Sequence, residues 1–302
     1  MDLKIQVRNY LLKEREARSK KKDAFWPSET EGNIFDIYHG FKGTLPTNPM
    51  TVETQFALGM RKKLEEAVVE IFGKMNILVS PASYTNREGV LIEKPDQHRV
   101  EITRMGIKIN GYMDAIVRDD GKEVPVEIKT SYGSYSKNDL LAGHPKVAYL
   151  KQLAIYMDSL GVNLGYLFVV NFERDLIIDD VYQFPLVKIG DIFKCGDIEF
   201  NLEKDVYARW KMIWDTYIVP DIEPVSEYRY KYDVKTIDWK RLPASRIANA
   251  RNNKAVIGDW QILYSSYKDL LIQKEGTEPG YDENELEYIK KCTSGYTTWN
   301  RK

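Results

Sequence analysis

The chain has 302 residues, 43% of them hydrophobic and 12% aromatic, enough to bury a sizeable core in one large domain or two small ones. A formal net charge of −1 excludes a protein held to nucleic acid by bulk basicity, so any basic groove must come from local clustering. The two cysteines, Cys195 and Cys292, exclude a disulfide framework and a four-cysteine metal cage and point to a reducing compartment. With no apolar leader and no run near membrane-span length, a soluble, cytoplasmic protein without a membrane partner is expected.

Residues 1–22 read as a charged helix, and the basic run KEREARSKKK at 13–22 reads as its solvated face. Ser28 is placed to cap a short helix running through Tyr38, and a loop containing Gly40, Gly43, Pro46 and Pro49 follows. Between residues 52 and 74, Phe56, Leu64, Ala67, Val68, Ile71 and Phe72 recur at helical spacing, with Glu66 and Glu70 four apart beside that face. Strands are expected at 77–80 and around 100–109, then a hairpin within GYMDAIVRDDGKEVPVEIKTSYG, residues 111–133. An amphipathic helix at 147–160 precedes GYLFVV, residues 165–170, a continuous apolar run suited to a strand buried on both faces. Beyond residue 179 come more strand-like pieces, a Trp-rich helix around 210–217, and a polar, aromatic C-terminal region that the pattern does not place. The expected organisation is an N-terminal helical and loop extension at 1–50, a core at 51–185, and a C-terminal extension at 186–302 packing on that core.

The 111–133 stretch puts three charges into strand-forming sequence. Alternation points Glu127 and Lys129 to one face and Val126 and Ile128 to the other. The run Arg118-Asp119-Asp120-Gly121-Lys122 reads as a turn that brings Asp114 beside Glu127. Two carboxylates in a half-buried sheet repel unless a cation lies between them, and oxygen-only ligation suits magnesium or manganese. The Lys129 ammonium can then meet a water or a developing negative charge. His144, ahead of Pro145 in a Gly-containing loop, reads as a loop residue.

Asp114 followed by Glu127-Ile128-Lys129, after a helical glutamate, resembles the PD-(D/E)xK nuclease superfamily, without the proline of its name. Gln152 and Tyr156 in KQLAIYMDSLG resemble the Gln-xxx-Tyr helix that follows the Glu-x-Lys strand in the RecB-like branch and the related CRISPR-adaptation exonucleases. The resemblance covers roughly residues 25–175. It implies an α/β, restriction-endonuclease-like core, a central mixed sheet flanked by helices, with helical and irregular N- and C-terminal additions. It also implies a metal-dependent nuclease acting on DNA, of the exonuclease type. Asp114, Glu127, the Ile128 carbonyl and Glu66 would hold Mg2+ or Mn2+, and Lys129 would orient or deprotonate the attacking water. Gln152 and Tyr156 would contact the DNA backbone or support Lys129.

At the family's Gly-xxx-His or Gly-xxx-Glu spacing this chain has Gly59 and Lys63, and an ammonium cannot bind a cation; Glu66, on the face of Gly59 and Glu70, is expected to take that place, the other reading of it being an exposed salt bridge with Lys62 or Lys63. Many members of the branch carry an iron–sulfur cluster on one N-terminal and three C-terminal cysteines. Here Asn33 stands near the first position and residues 228–239 hold aromatics but no cysteine, so no iron–sulfur cluster is expected. Trp26, Phe35, Tyr228, Tyr230, Tyr232 and Trp239 are expected to pack where it would lie. Two other readings stay open: a non-catalytic DNA-binding or assembly subunit that keeps the fold, and a restriction-type endonuclease.

Overall fold

The computed structural model describes residues 6, 10, 21–48, 50–80, 84–85, 91–92, 98–132, 134–172, 178–229, 231, 233–239, 242, 244–253, 259–275 and 280–295. The helix expected over 1–22 thus lies almost wholly outside the described residues, as do Tyr230 and Tyr232. Two units are built from interleaved chain: Lys21–Gly32 with Thr51–Ile222, and Asn33–Met50 with Glu223–Lys302. Helix α1 (Ile34–Lys42) belongs to the second unit and α2 (Val52–Lys74) opens the main stretch of the first.

The first unit continues with strands β1 (Leu78–Ser80), β2 (Tyr84–Thr85), β3 (Leu91–Ile92), β4 (His98–Arg104), β5 (Ile107–Met113), β6 (Ala115–Asp119) and β7 (Lys122–Tyr132). Helices α3 (Ser134–Leu141) and α4 (Val147–Leu160) lead to β8 (Leu164–Phe172), β9 (Ile178–Ile189), β10 (Ile192–Cys195) and β11 (Ile198–Asn201). The expected Trp-rich helix is α5 (Ala208–Ile213), flanked by wider helical turns at Glu203–Tyr207 and Trp214–Ile218. Seven strands form one mixed sheet in the order β1-β6-β7-β8-β9-β10-β11; β7 and β8 run parallel and the other neighbours antiparallel. A parallel pair needs a crossover, and α3 and α4 supply it. A central mixed sheet flanked by helices is consistent with the expected restriction-endonuclease-like core. No helix among the described residues is long and apolar enough to cross a membrane.

The turn between β6 and β7 is the two-residue loop that Asp-Gly encodes: Asp119 pairs with Lys122, and Asp120 and Gly121 both have positive φ, 46° and 77°. That loop sets the register of the hairpin, and the register sets the faces. Ala115, Val117, Val124, Val126 and Ile128 pack with Val68, Val69 and Phe72 of α2. Ile116 points the other way, to a cluster with Val100, Met113 and Tyr156 of α4. Helix α4 is buried along most of its length and lies tight on β8, because a Cβ on Gly165 would come within 2.9 Å of Met157.

Two local expectations are corrected. Phe56 and Ile71 do not belong to the packed face of α2; they are 60% and 52% exposed, because the helix carries apolar residues on two sides and only one docks on the sheet. Ser28 caps no α-helix. It lies in a short 3-10 turn, Pro27–Glu29, while α1 begins later and is capped by Asn33, whose side chain accepts from Phe35 N at 3.1 Å.

The second unit adds α6 (Ala244–Arg251), α7 (Lys268–Glu275) and α8 (Glu283–Cys292). Two small cores are seen among its described residues. Phe35, Ile262, Tyr267 and Leu271 form one with Tyr228, and Val234, Trp239, Ala250, Tyr281 and Ile289 form the other. The expected aromatic assembly is therefore divided: Phe35 and Tyr228 share a core, Trp239 sits in the second, and Trp26 is an exposed residue of the first unit under the Lys22 ammonium.

Candidate active site

Asp114 is the single residue between β5 and β6, where the chain leaves its ladder with β4 and enters the central sheet. Because Ala115 pairs with Val126, Asp114 falls opposite Glu127. Its carboxylate is buried, and Oδ2 accepts from Ile128 N at 2.8 Å, which ties the bend to β7. Glu127 lies deeper, at 1% exposure. Its Oε1 takes the Lys129 ammonium, its neighbour on the same strand face, while Oε2 is buried with no hydrogen-bond partner among the described residues.

Burial pushes the Glu127 carboxyl up to about 8, against the pull of Lys129 and with the help of the Asp114 charge. For Lys129, burial works against the ammonium, but Glu127 and Asp114 outweigh it and hold its pKa above the usual lysine value. Lys129 is therefore the protonated member of the pair, and Glu127 is a carboxyl that takes up a proton unless another positive charge reaches Oε2. The ring of Tyr149, from the first turn of α4, lies with its centroid 5.3 Å from Lys129 Nζ, a cation–π contact.

The helical glutamate that faces this group is Glu65, which sequence reasoning passed over. Val68, Val69 and Phe72 mark the sheet-facing stripe of α2, and Glu65 precedes them by three, four and seven residues on the same stripe. Its carboxyl is pushed up to about 7, first by burial and then by the charge of Asp114, with Lys129, Arg61 and Lys62 pulling the other way. Glu66 is about 100° further round the helix and pairs instead with Lys63 Nζ at 2.5 Å. The structure thus brings Asp114, Glu127, Lys129 and Glu65 together and leaves Glu66 on a surface ion pair. The sequence offers two apolar stripes on this helix, and only the docking of Val68, Val69 and Phe72 on the sheet picks out Glu65. Arg61 and Lys62 one turn earlier and Leu58 two turns earlier line, with Glu65, Lys129, Thr130 and Tyr149, an open cleft of about 320 Å3.

Gln152 and Tyr156 are buried side by side on α4. The Tyr156 hydroxyl donates to Tyr112 O at 2.8 Å and accepts from Gln152 Nε2 at 3.1 Å, so the pair braces the strand two residues before Asp114. Burial, and then the Glu127 charge, raise the phenol well above its ordinary range. A hydroxyl so enclosed does not reach a DNA backbone. His144 lies outside the group, on the surface, with Nε2 3.2 Å from Asp197 Oδ2.

Among the described residues, no three His, Cys, Asp or Glu side chains stand close enough to form a metal cage. The donors that do converge are two buried carboxylates, Asp114 at the junction of β5 and β6 and Glu127 on β7, the latter with an oxygen unpartnered among the described residues, and the carboxyl of Glu65 within their electrostatic reach. That set fits a hard divalent ion, which commonly binds through one or two carboxylates and keeps several waters. It offers none of the histidine or cysteine ligands on which zinc sites and iron–sulfur clusters are usually built.

No family model matches the chain, and no curated protein does. Among solved structures it is similar to the crystal structure of SSO0001, with 18% identity over 71% of this chain and 87% of that one, at a TM-score of 0.43. It is also similar to an alkaline exonuclease, LHK-Exo from Laribacter hongkongensis, with 15% identity over 67% of this chain and 91% of that one, at a TM-score of 0.32. Overlaps this loose carry no argument about chemistry, which rests on the residues themselves.

Proposed function

We propose that the protein is a metal-dependent deoxyribonuclease that hydrolyses phosphodiester bonds, acting from DNA ends as RecB-like exonucleases do. The observation that carries the reading is the Glu127 carboxylate. It is sealed in the sheet with Oε2 unpartnered, beside a second buried carboxylate and an ammonium on the same face. An acid placed so is costly in a purely structural role and is accounted for by a cation at work there.

In this proposal Asp114, Glu127 and the Ile128 carbonyl hold magnesium or manganese, with Glu65 rather than Glu66 as the helical carboxylate. When bound, the ion would lower the pKa of a water and offset charge on the scissile phosphate. The Ile128 N–H fixes the rotamer of Asp114. Lys129 Nζ, held between Glu127 and the Tyr149 ring, orients the attacking water and meets charge developing on the phosphate. Tyr156 and Gln152 act through the strand end, keeping Tyr112 and hence Asp114 in place. Arg61 and Lys62 give the cleft the positive charge that a phosphate backbone needs. An iron–sulfur cluster has no part in the proposal, since two cysteines cannot supply its thiolates.

The test compares end-labelled linear DNA with covalently closed circular DNA, in magnesium or manganese and in EDTA. Metal-dependent loss of the linear substrate alone is the expected result, and cutting of the circle would assign endonuclease chemistry instead. The Glu127–Lys129 ion pair supports a second reading, a DNA-binding subunit in which the pair only neutralises a buried acid. Retained DNA binding with no cleavage of either substrate would establish that reading and end the first.

A further inference from the structure

Helix α2 covers one half of a sheet face in the first unit and leaves the other half bare. Its Phe72 ring meets Phe168 of β8 edge-on at 5.8 Å, and Leu164 and Tyr166 belong to the same cluster. Cross-strand partners share a face, so the register carries that face onward: Leu164 pairs with Val187, Tyr166 with Pro185, Val170 with Val181, and Ile189 with Ile192. Val181, Val187, Ile189 and Ile192 are exposed, Ile189 to 65%. The side of α2 turned away from the sheet is apolar as well. Phe56, Met60, Ala67, Ile71 and Met75 lie along it at steps of four, seven, four and four residues, and all are exposed. Where helix and bare half meet, Phe72, Tyr166, Phe168 and Gln183 line a cleft of about 210 Å3.

Exposed apolar surface continuing over two adjoining elements marks an interface. The charges beside it are paired within the chain: Lys63 with Glu66, Lys74 with Glu70, and on the sheet Lys194 with Glu199 at 2.6 Å. Such a surface offers little to a phosphate backbone, and two like copies meet across it without strong repulsion. Its shape selects a second copy. A helix is roughly 10 Å across, so α2 is a ridge beside a recess of equal depth. A two-fold axis parallel to the sheet, between ridge and recess, sets each ridge in the other's recess. We propose that this face is a dimer interface, with the α2 of each copy lying on the bare β8–β10 half of the other's sheet. Each helix then buries both of its apolar sides. The stripe from Phe56 to Met75 is about 29 Å long and, at helix width, covers about 320 Å2. Strand β9, with 12 residues, is about 40 Å long and accommodates it. One ridge and one recess from each copy bring the total to about 1,300 Å2, within the range of stable specific interfaces. The inference is independent of the nuclease reading.

The experiment is sedimentation velocity of the full chain over about 0.1–50 µM, where an interface of this size associates. A dimer of the 35.1 kDa chain is expected. Ile71→Lys on the ridge and Ile189→Glu in the recess change exposed side chains, so each variant should keep the parent's circular dichroism. Each should weaken the dimer by at least about a hundredfold, because the symmetry puts two charges into apolar contact. An equimolar mixture of the two variants should dimerise more tightly than either alone, since one of its two ridge-in-recess contacts is then unaltered. Hydrogen exchange of the unmutated protein checks the place without any substitution: protection of residues 56–75 and 181–192 should grow with protein concentration. A monomer at every concentration would assign the face to a different partner and overturn the proposal. An assembly other than a dimer, a dimer that survives both substitutions, a mixture no tighter than its components, or concentration-dependent protection confined to other residues would each overturn it too.

Discussion

Replacing Glu127 by Gln in the metal-free protein probes the buried carboxyl directly. The folded state holds the Glu127 proton up to about pH 8, whereas the ordinary carboxyl value is 4.5, so between those limits the folded protein carries one proton more than the unfolded chain. Stability contributed by that proton is fully present below pH 4.5 and is lost as pH rises toward 8. Glutamine does not titrate. The difference in unfolding free energy, Glu127→Gln minus parent, should therefore grow by about 1.4 kcal/mol per pH unit, or roughly 3 kcal/mol between pH 5 and 7.5, and level off above pH 8. Taking the difference cancels the titrating groups that do not sense Glu127, and the pH-independent cost of weakening the Lys129 pair. The assay is urea unfolding followed by tryptophan fluorescence at half-unit pH steps in EDTA. Saturating magnesium or manganese should flatten the slope, because a cation then does what the proton did. A difference that stays level with pH in EDTA would show that Lys129 alone keeps Glu127 ionised and would refute the reasoning.

Three further outcomes are expected. Asp114→Ala or Glu127→Ala should abolish cleavage while leaving the circular dichroism spectrum unchanged, and Lys129→Arg should lower the rate by orders of magnitude, since a planar guanidinium does not replace a compact ammonium at a water; parent-like cleavage by any of the three would dismantle the site. Glu65→Gln should depress cleavage strongly, whereas Glu66→Gln should leave it intact and change stability by no more than about 0.5 kcal/mol, since only the Lys63 surface pair is lost; the reverse order of cleavage rates would return the role to Glu66. Tyr156→Phe strips hydrogen-bond partners from Gln152 and the Tyr112 carbonyl and should cost about 2 kcal/mol by thermal or urea unfolding, with a lower kcat and an unchanged KM; a neutral result would remove the bracing role.

Read by itself, the sequence determined the parts of this protein that depend on local periodicity. The period of two placed Glu127 and Lys129 on one strand face, Asp-Gly specified the tight turn that brings Asp114 opposite Glu127, and the apolar pattern located the helix at Val147–Leu160 and the strand after it. These features follow from φ/ψ preference and side-chain alternation, which a short window contains. Tertiary structure decided the rest. Helix α2 carries apolar residues on two sides, so its sequence cannot say which side docks; contact of Val68, Val69 and Phe72 with the sheet turns Glu65 inward and leaves Glu66 to Lys63. The depth of Glu127 depends on the strands and helix that cover it, and the bracing role of Tyr156 depends on β5, 44 residues away in the chain. The second unit joins residues 33–50 to residues 223–302, a pairing that no local pattern encodes, because its aromatic cores form only when segments remote in sequence meet.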